Sequence, residues 1–218
     1  MAKKRTYGDP CGIARALDVV GERWALLVVR ELLLGPKRFT DLRTGLPHVS
    51  PDVLAQRLRE LEQDGVVRRR TLAPPAGSKV YELTERGREL EPVILALGRW
   101  GSAEPFPPGD ARLGPDSTVI ALLTVFNPAA ADGLDATYEL RLDGQVFRAR
   151  VADGRLDFAR GTADDPDATI ETDPGTLATV LWHGRKLAEA ERSGDFEIDG
   201  SRSAVTRFLR LFQVPKSA

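Results

Sequence analysis

Ser50 to Gly65 reads SPDVLAQRLRELEQDG, and this stretch decides the fold. Ser50 suits an N-cap, and Pro51 suits the first helical position, where a missing N–H costs nothing. Leu54, Leu58 and Leu61 recur at helical spacing and make one apolar stripe. On a helical wheel Asp52, Gln56, Arg59 and Gln63 fall on the opposite side. Gln and Arg are side chains that can grip a base edge with two hydrogen bonds. The spacing therefore predicts a helix with one buried face and one face suited to base edges, stopped by Gly65.

Downstream, VVRRRTLA (Val66 to Ala73) and KVYELT (Lys79 to Thr84) read as two strands joined by the turn-rich Pro74-Pro75-Ala76-Gly77-Ser78. Arg68, Arg69, Arg70 and Lys79 make this hairpin basic. Alternation along the first strand sets Arg69 apart from Arg68 and Arg70. A helix pair followed by a basic hairpin is the winged form of the helix-turn-helix. In that form the second helix enters the major groove and the hairpin touches the backbone beside it.

The 218 residues are long enough for two domains, each with its own core. The net charge of −1 conceals an asymmetry. Residues 1–103 carry 18 basic against 13 acidic side chains, and residues 104–218 carry 13 against 19. The basic half is the one that holds the helix-turn-helix pattern, as nucleic acid binding requires. One cysteine excludes an internal disulfide, and no Cys/His spacing suits zinc, so no cofactor and no metal are expected. Neither a signal peptide nor a membrane-spanning apolar run is present, which points to a cytoplasmic protein with no membrane partner. Lys3, Lys4 and Arg5 form a basic start whose plain reading is a solvated terminus.

Before the reading helix, Ile13 to Leu34 reads as one helix with Leu17, Val20, Trp24, Leu27 and Val28 inward and Gly35-Pro36 as its stop. Phe39 to Gly45 reads as a short helix. After the hairpin, Thr84 caps a helix carrying Leu90, Val93, Ile94, Leu97 and Trp100, which Pro92 should bend or split near Arg88. Residues 1–103 thus read as a DNA-binding and dimerisation domain. SAEPFPPGDARLGP (Ser102 to Pro115) has the composition of an extended connector, so residues 104–116 read as a linker.

From residue 117 the period changes. Ser117 to Phe126 reads as a helix or a strand. ATYELRL, QVFRARV and RLDFARG are separated by Asp143-Gly144 and Asp153-Gly154, the two-residue joints of tight hairpins. ATIETD and DFEIDG repeat the alternation, and helical segments are expected near residues 174–183, 185–192 and 202–212. The fold class is α+β in two domains: an N-terminal winged helix-turn-helix, then residues 117–218 as an antiparallel sheet covered on its apolar face by helices.

ALDVVGERWALLVVRELLLGPKRFTDL, LAQRLRELEQDGVVRR, VYELTERGREL and LGRWG, following Cys11, resemble the HxlR-type winged-helix regulators, a branch of the MarR-like group. The resemblance covers about residues 8–102. It implies a dimeric transcriptional regulator, expected here to be a homodimeric repressor, with the domain's first and last helices at the dimer interface. Residues 117–212 are more weakly similar to the sterol-carrier-protein-2-like fold. That similarity implies an effector domain enclosing a small apolar ligand, and it identifies none.

On this reading Ser50, Asp52, Gln56, Arg57 and Arg59 are candidate base contacts. Arg38, Arg43, Arg68, Arg70 and Lys79 are candidate phosphate contacts, which set register without reading sequence. Cys11 stands where some relatives keep a sensing thiol and can also be read as a small buried residue at a dimer contact. Phe147, Phe158, Ile170, Leu177, Leu181 and Trp182 either line an apolar cavity or fill a core. His48 and His183 are isolated, which speaks against an enzyme. The other functional readings are a lipid or small-molecule carrier, or an enzyme accessory protein, in which the winged domain serves protein contacts.

Overall fold

The computed structural model describes residues 6–74, 77–104 and 113–213, and the chain divides into two compact units, Met1–Ile94 and Leu95–Ala218. Lys3, Lys4, Arg5, Pro75, Ala76 and most of the expected linker lie outside the described residues. The first unit runs α1 (Gly12–Val20), α2 (Ala25–Leu32), α3 (Phe39–Gly45), α4 (Pro51–Gln63), β1 (Val67–Thr71), β2 (Lys79–Leu83), α5 (Glu85–Arg88) and the start of α6 (Glu91–Gly101). The division falls inside α6, some ten residues before the boundary read from composition.

The single helix expected over Ile13–Leu34 is two helices. Gly21 N–H closes the last turn of α1 on Leu17 O at 2.8 Å, and a Cβ at Gly21 would run into that same carbonyl. Trp24 then takes a left-handed φ of 78°, which for a non-glycine residue costs roughly 1–2 kcal/mol and cannot continue a helix. The turn changes the inward set. Ala25, Val28, Val29 and Leu32 of α2 are buried, whereas Leu17 and Leu27, expected inside, are exposed.

The core of this unit is the leucine stripe. Leu54, Leu58 and Leu61 are fully buried, together with Leu42, Val66, Val67, Val80 and Leu83. Each such side chain contributes about 1.5–3 kcal/mol of apolar burial. Thr84 closes the base of the hairpin, its Oγ1 donating to Gly65 O at 2.6 Å and accepting Gly87 N–H at 3.1 Å. The expected split near Arg88 is present, with Pro92 in the first turn of α6, where its missing N–H is harmless.

The second unit continues with α7 (Pro115–Val125), a 3₁₀ turn at Pro128–Ala131, β3 (Ala136–Leu142), β4 (Gln145–Ala152), β5 (Arg155–Arg160), β6 (Ala168–Thr172), α8 (Pro174–Trp182), α9 (Leu187–Arg192), β7 (Phe196–Gly200) and α10 (Arg202–Leu209). The open choice for Ser117–Phe126 resolves as helix, and Pro115 and Asp116 belong to it rather than to a linker. Both Asp-Gly joints are tight turns with positive φ at each residue: 47° and 74° at Asp143 and Gly144, 51° and 69° at Asp153 and Gly154.

The sheet order is β5-β4-β3-β6-β7, and β3 pairs with β6 in parallel, so the sheet is mixed and not antiparallel as expected. The connection after β5 crosses the outer face of β4 and β3. There Ala163 N–H donates to Glu139 Oε2 at 2.9 Å, and Asp167 and Thr137 bond each other through Asp167 N–H (2.8 Å) and Thr137 N–H (2.9 Å). This strap delivers β6 alongside β3 in the same direction. Tyr138, Leu140, Phe147, Ala149 and Ile170 are buried on the other face, where the Phe208 ring of α10 lies 4.7 Å from that of Tyr138.

Candidate nucleic-acid interface

α4 is capped at its start and seated along one side. Ser50 Oγ accepts Val53 N–H at 3.4 Å, and the buried stripe holds the helix against the core. Asp52, Gln56, Arg59 and Gln63 are exposed on the free face. There Arg59 Nη2 donates to Gln56 Oε1 at 2.5 Å, and Gln56 Nε2 donates to Glu60 Oε1 at 2.7 Å. The two side chains suited to base edges thus hold each other in place. Asp52 sits in the first turn, where the helix dipole favours a carboxylate.

Arg57, expected beside these residues as a base contact, points elsewhere. Its side chain is 11% exposed, paired with Glu60 on its own helix and 3.8 Å from Glu22 Oε2 in the turn between α1 and α2. It braces α4 against the body of the domain and does not share the free face.

The hairpin register places Arg68 opposite Glu82 and Arg70 opposite Val80, so Arg68, Arg70 and Glu82 share one side. The Glu82 carboxylate, 7% exposed, accepts Arg68 Nε at 2.8 Å and Arg70 Nε at 3.0 Å. Glu82 holds each exposed arginine through Nε, and the Nη groups of a guanidinium carry further N–H donors in a fork that suits phosphate oxygens. Arg69 is on the other side, as alternation implied, with its guanidinium 5.2 Å from the Tyr81 ring centroid and Nε 3.2 Å from Glu62 Oε2 of α4. Lys79 is exposed at the far end of β2 from Leu83, and Arg38 and Arg43 are exposed at the two ends of α3.

Sequence reasoning missed the carboxylates that aim these cations: Glu22, Glu60, Glu62 and Glu82. The Gln56–Glu60 spacing was a usable signal. Glu82 was not, because its partners follow from the hairpin register.

Cys11 is exposed at the N-cap of α1, its N–H donating to Asp9 Oδ1 at 2.8 Å. Burial of Cys11, as the dimer-contact reading has it, would come from a second copy. In the second unit Phe147, Ile170 and Leu177 are fully buried, while Phe158, Leu181 and Trp182 are half-buried. Tyr138 Oη is buried on the sheet's inner face with no hydrogen-bond partner among the described residues. The described residues contain no group of His, Cys, Asp and Glu able to hold a metal ion, and no helix among them is long and apolar enough to cross a membrane.

The two halves of the chain are similar to different families. Residues 19–105 match the HxlR-like helix-turn-helix family, and residues 116–218 match the alkyl sulfatase C-terminal family. The HTH-type transcriptional regulator YodB of Bacillus subtilis is 38% identical over 96 residues, covering 44% of this chain and 84% of YodB. An uncharacterized HTH-type transcriptional regulator of the same organism, YvaP, is 36% identical over 88 residues, covering 40% of this chain and 82% of YvaP. Among solved structures, the redox regulator HypR in its oxidized form is 36% identical, covering 44% of this chain and all of HypR, with a TM-score of 0.40. Quinone-bound YodB from B. subtilis is 35% identical, covering 41% of this chain and 93% of that structure, with a TM-score of 0.36.

Proposed function

Because this chain belongs to the HxlR-like helix-turn-helix family of DNA-binding transcriptional regulators, we propose that it is a homodimeric repressor whose α4 reads operator bases and whose hairpin grips the flanking backbone. The observation that carries this reading is the Gln56–Arg59 pair, exposed and mutually held on a helix whose opposite face is fully buried. Ser50 and Asp52, at the start of that helix, complete the base-facing set. Arg38, Arg43, Arg68, Arg70 and Lys79 contact phosphates, and Arg57 serves as the brace that seats α4.

Dimerisation rests on apolar surface that a single chain leaves open. Val93, Leu97 and Trp100 follow one another along one face of α6, with Trp100 73% exposed, and α1 exposes Ile13 and Leu17. These are the first and last helices of the domain, and a second copy covers them. Cys11 is the thiol through which oxidants or electrophiles are sensed, in line with the redox and quinone names of two relatives. With one cysteine per chain, such a switch runs through a bridge between subunits or an adduct.

The C-terminal unit, read as a sterol-carrier-like effector domain, takes a small apolar ligand between its sheet and helices. Phe147, Phe158, Ile170, Leu177, Leu181 and Trp182 form the apolar surroundings. Ligand that favours the form with misplaced reading helices releases DNA by shifting that equilibrium. A long-chain alkyl sulfate below its micellar concentration is the first probe suggested by the C-terminal match.

Selection of genomic fragments by the purified protein tests the core of this reading. Recovered sites are expected to be inverted repeats with half-site centres about one helical turn, ~10 bp, apart or a multiple of it. Recovery of no sequence above background DNA overturns the proposal, and isolated half-sites overturn the dimer.

A further inference from the structure

The winged unit contains a buried ion pair that no base or phosphate contact uses. Glu31 of α2 is 1% exposed and its Oε2 accepts Lys37 Nζ at 2.6 Å, while Oε1 accepts Arg30 Nη2 at 2.9 Å. A Cβ added at Gly45, the last residue of α3, would overlap Glu31 Oε2, so glycine there makes room for the carboxylate. Lys37 is also tied through its backbone. Its N–H donates to Tyr81 O at 3.0 Å and its carbonyl accepts Tyr81 N–H at 2.8 Å, which adds a third strand position to the hairpin.

Tyr81 closes the circuit. Arg69 lies over its ring and reaches Glu62 of α4. A chain of contacts thus runs from α2 and the end of α3, through Glu31 and Lys37, into β2, across to β1, and back to α4. We propose that Glu31 and Lys37 are positioning residues for DNA binding, forming a joint that fixes the hairpin relative to α4 and so sets how many phosphates the hairpin reaches. This rests on the reading of the hairpin as a phosphate-contacting wing. Apolar side chains of similar volume fill a buried pair's space at little or no cost in stability, so what charge and hydrogen bonding add is orientation.

The experiment measures operator affinity against salt for the full chain, using a site recovered by genomic selection. Glu31→Gln is the direct variant, and because it removes the negative charge facing the buried Lys37 ammonium, Glu31→Met with Lys37→Met is run beside it as the apolar replacement expected to stay folded. Arg68→Ala serves as the reference for losing one wing contact. In the folded double variant the slope of log K against log salt is expected to fall by at least ~0.9 per subunit, the contribution of one phosphate, with base preference at the α4 positions retained. A folded double variant with the wild-type slope overturns the joint, since a purely structural role changes melting temperature without changing the slope. If Arg68→Ala also leaves the slope unchanged, the wing reading itself fails and the joint with it.

Discussion

Replacing Arg68 and Arg70 together by Ala perturbs folding through one carboxylate, Glu82, and DNA binding through two lost phosphate contacts. Each single substitution leaves Glu82 one guanidinium, at 2.8 or 3.0 Å, and is expected to cost little stability. The double substitution leaves a carboxylate that is 7% exposed without either partner, and such an orphan costs about 3 kcal/mol, a large part of a domain's stability. The two changes are therefore strongly non-additive. Adding Glu82→Met removes the orphan and is expected to restore most of the stability. DNA binding follows a different pattern. Two lost phosphate contacts lower the salt slope by about 1.8 per subunit, so that raising salt from about 50 to 200 mM weakens the double variant roughly tenfold less per wing than wild type. The triple variant keeps that reduced slope. Urea unfolding reads the first effect and fluorescence anisotropy on operator DNA the second. Additive stabilities would rule out the shared role of Glu82, and an unchanged slope in the triple variant would rule out the two phosphate contacts.

Three other outcomes follow from the same geometry. Arg57→Met removes the brace to Glu22 and Glu60, both partly solvated, and is expected to lower stability by about 1 kcal/mol and to weaken all DNA sites alike, without changing which base is preferred. Trp100→Glu with Leu97→Glu places charge on the open face of α6, and sedimentation is expected to show monomers whose affinity for a two-half-site operator collapses toward that for a single half-site. In the second unit Arg202, hydrogen-bonded to Glu191, holds that carboxyl below the usual carboxylate range against the opposing effect of burial. A depressed folded-state value means that the carboxylate stabilises the fold above its unfolded-state pKa, about 4.3, and that this is lost as pH falls through the folded value. The stability difference between wild type and Glu191→Gln at neutral pH should close progressively below about pH 4, and a gap that persists in acid would count against the pairing.

How much of this was legible depends on whether the deciding interaction was local. The Ser50 cap, the leucine stripe and the two Asp-Gly turns are set within a few residues, and the structure has them where local spacing puts them. The break at Gly21 was hidden because Val20, Trp24 and Val28 keep an apolar spacing across it, although Gly21 was a visible warning. Alternation in Ala168–Thr172 told which face is buried and nothing of its neighbour, so the parallel pairing with β3 stayed out of reach. The same limit applied at the site. Helical phase separated Gln56 and Arg59 from the leucines, but Arg57 lies at an intermediate angle, and only Glu22, thirty-five residues earlier, decides which way it turns. Nothing local to Glu31 and Lys37 marks them as buried: the room for the carboxylate comes from Gly45 on another helix, and Lys37 is held by the backbone of Tyr81.

Whether the exposed face of α4 reads sequence is decided by a base-by-base preference profile of wild type against Arg59→Ala. Arg59 is exposed and its guanidinium bonds Gln56 on the same helix, so its loss leaves the fold intact. Preference is expected to vanish at one position of each half-site, a loss of about 1–3 kcal/mol in discrimination there, with the salt slope nearly unchanged. A profile identical to wild type at every position would contradict the assignment of α4 as the reading helix.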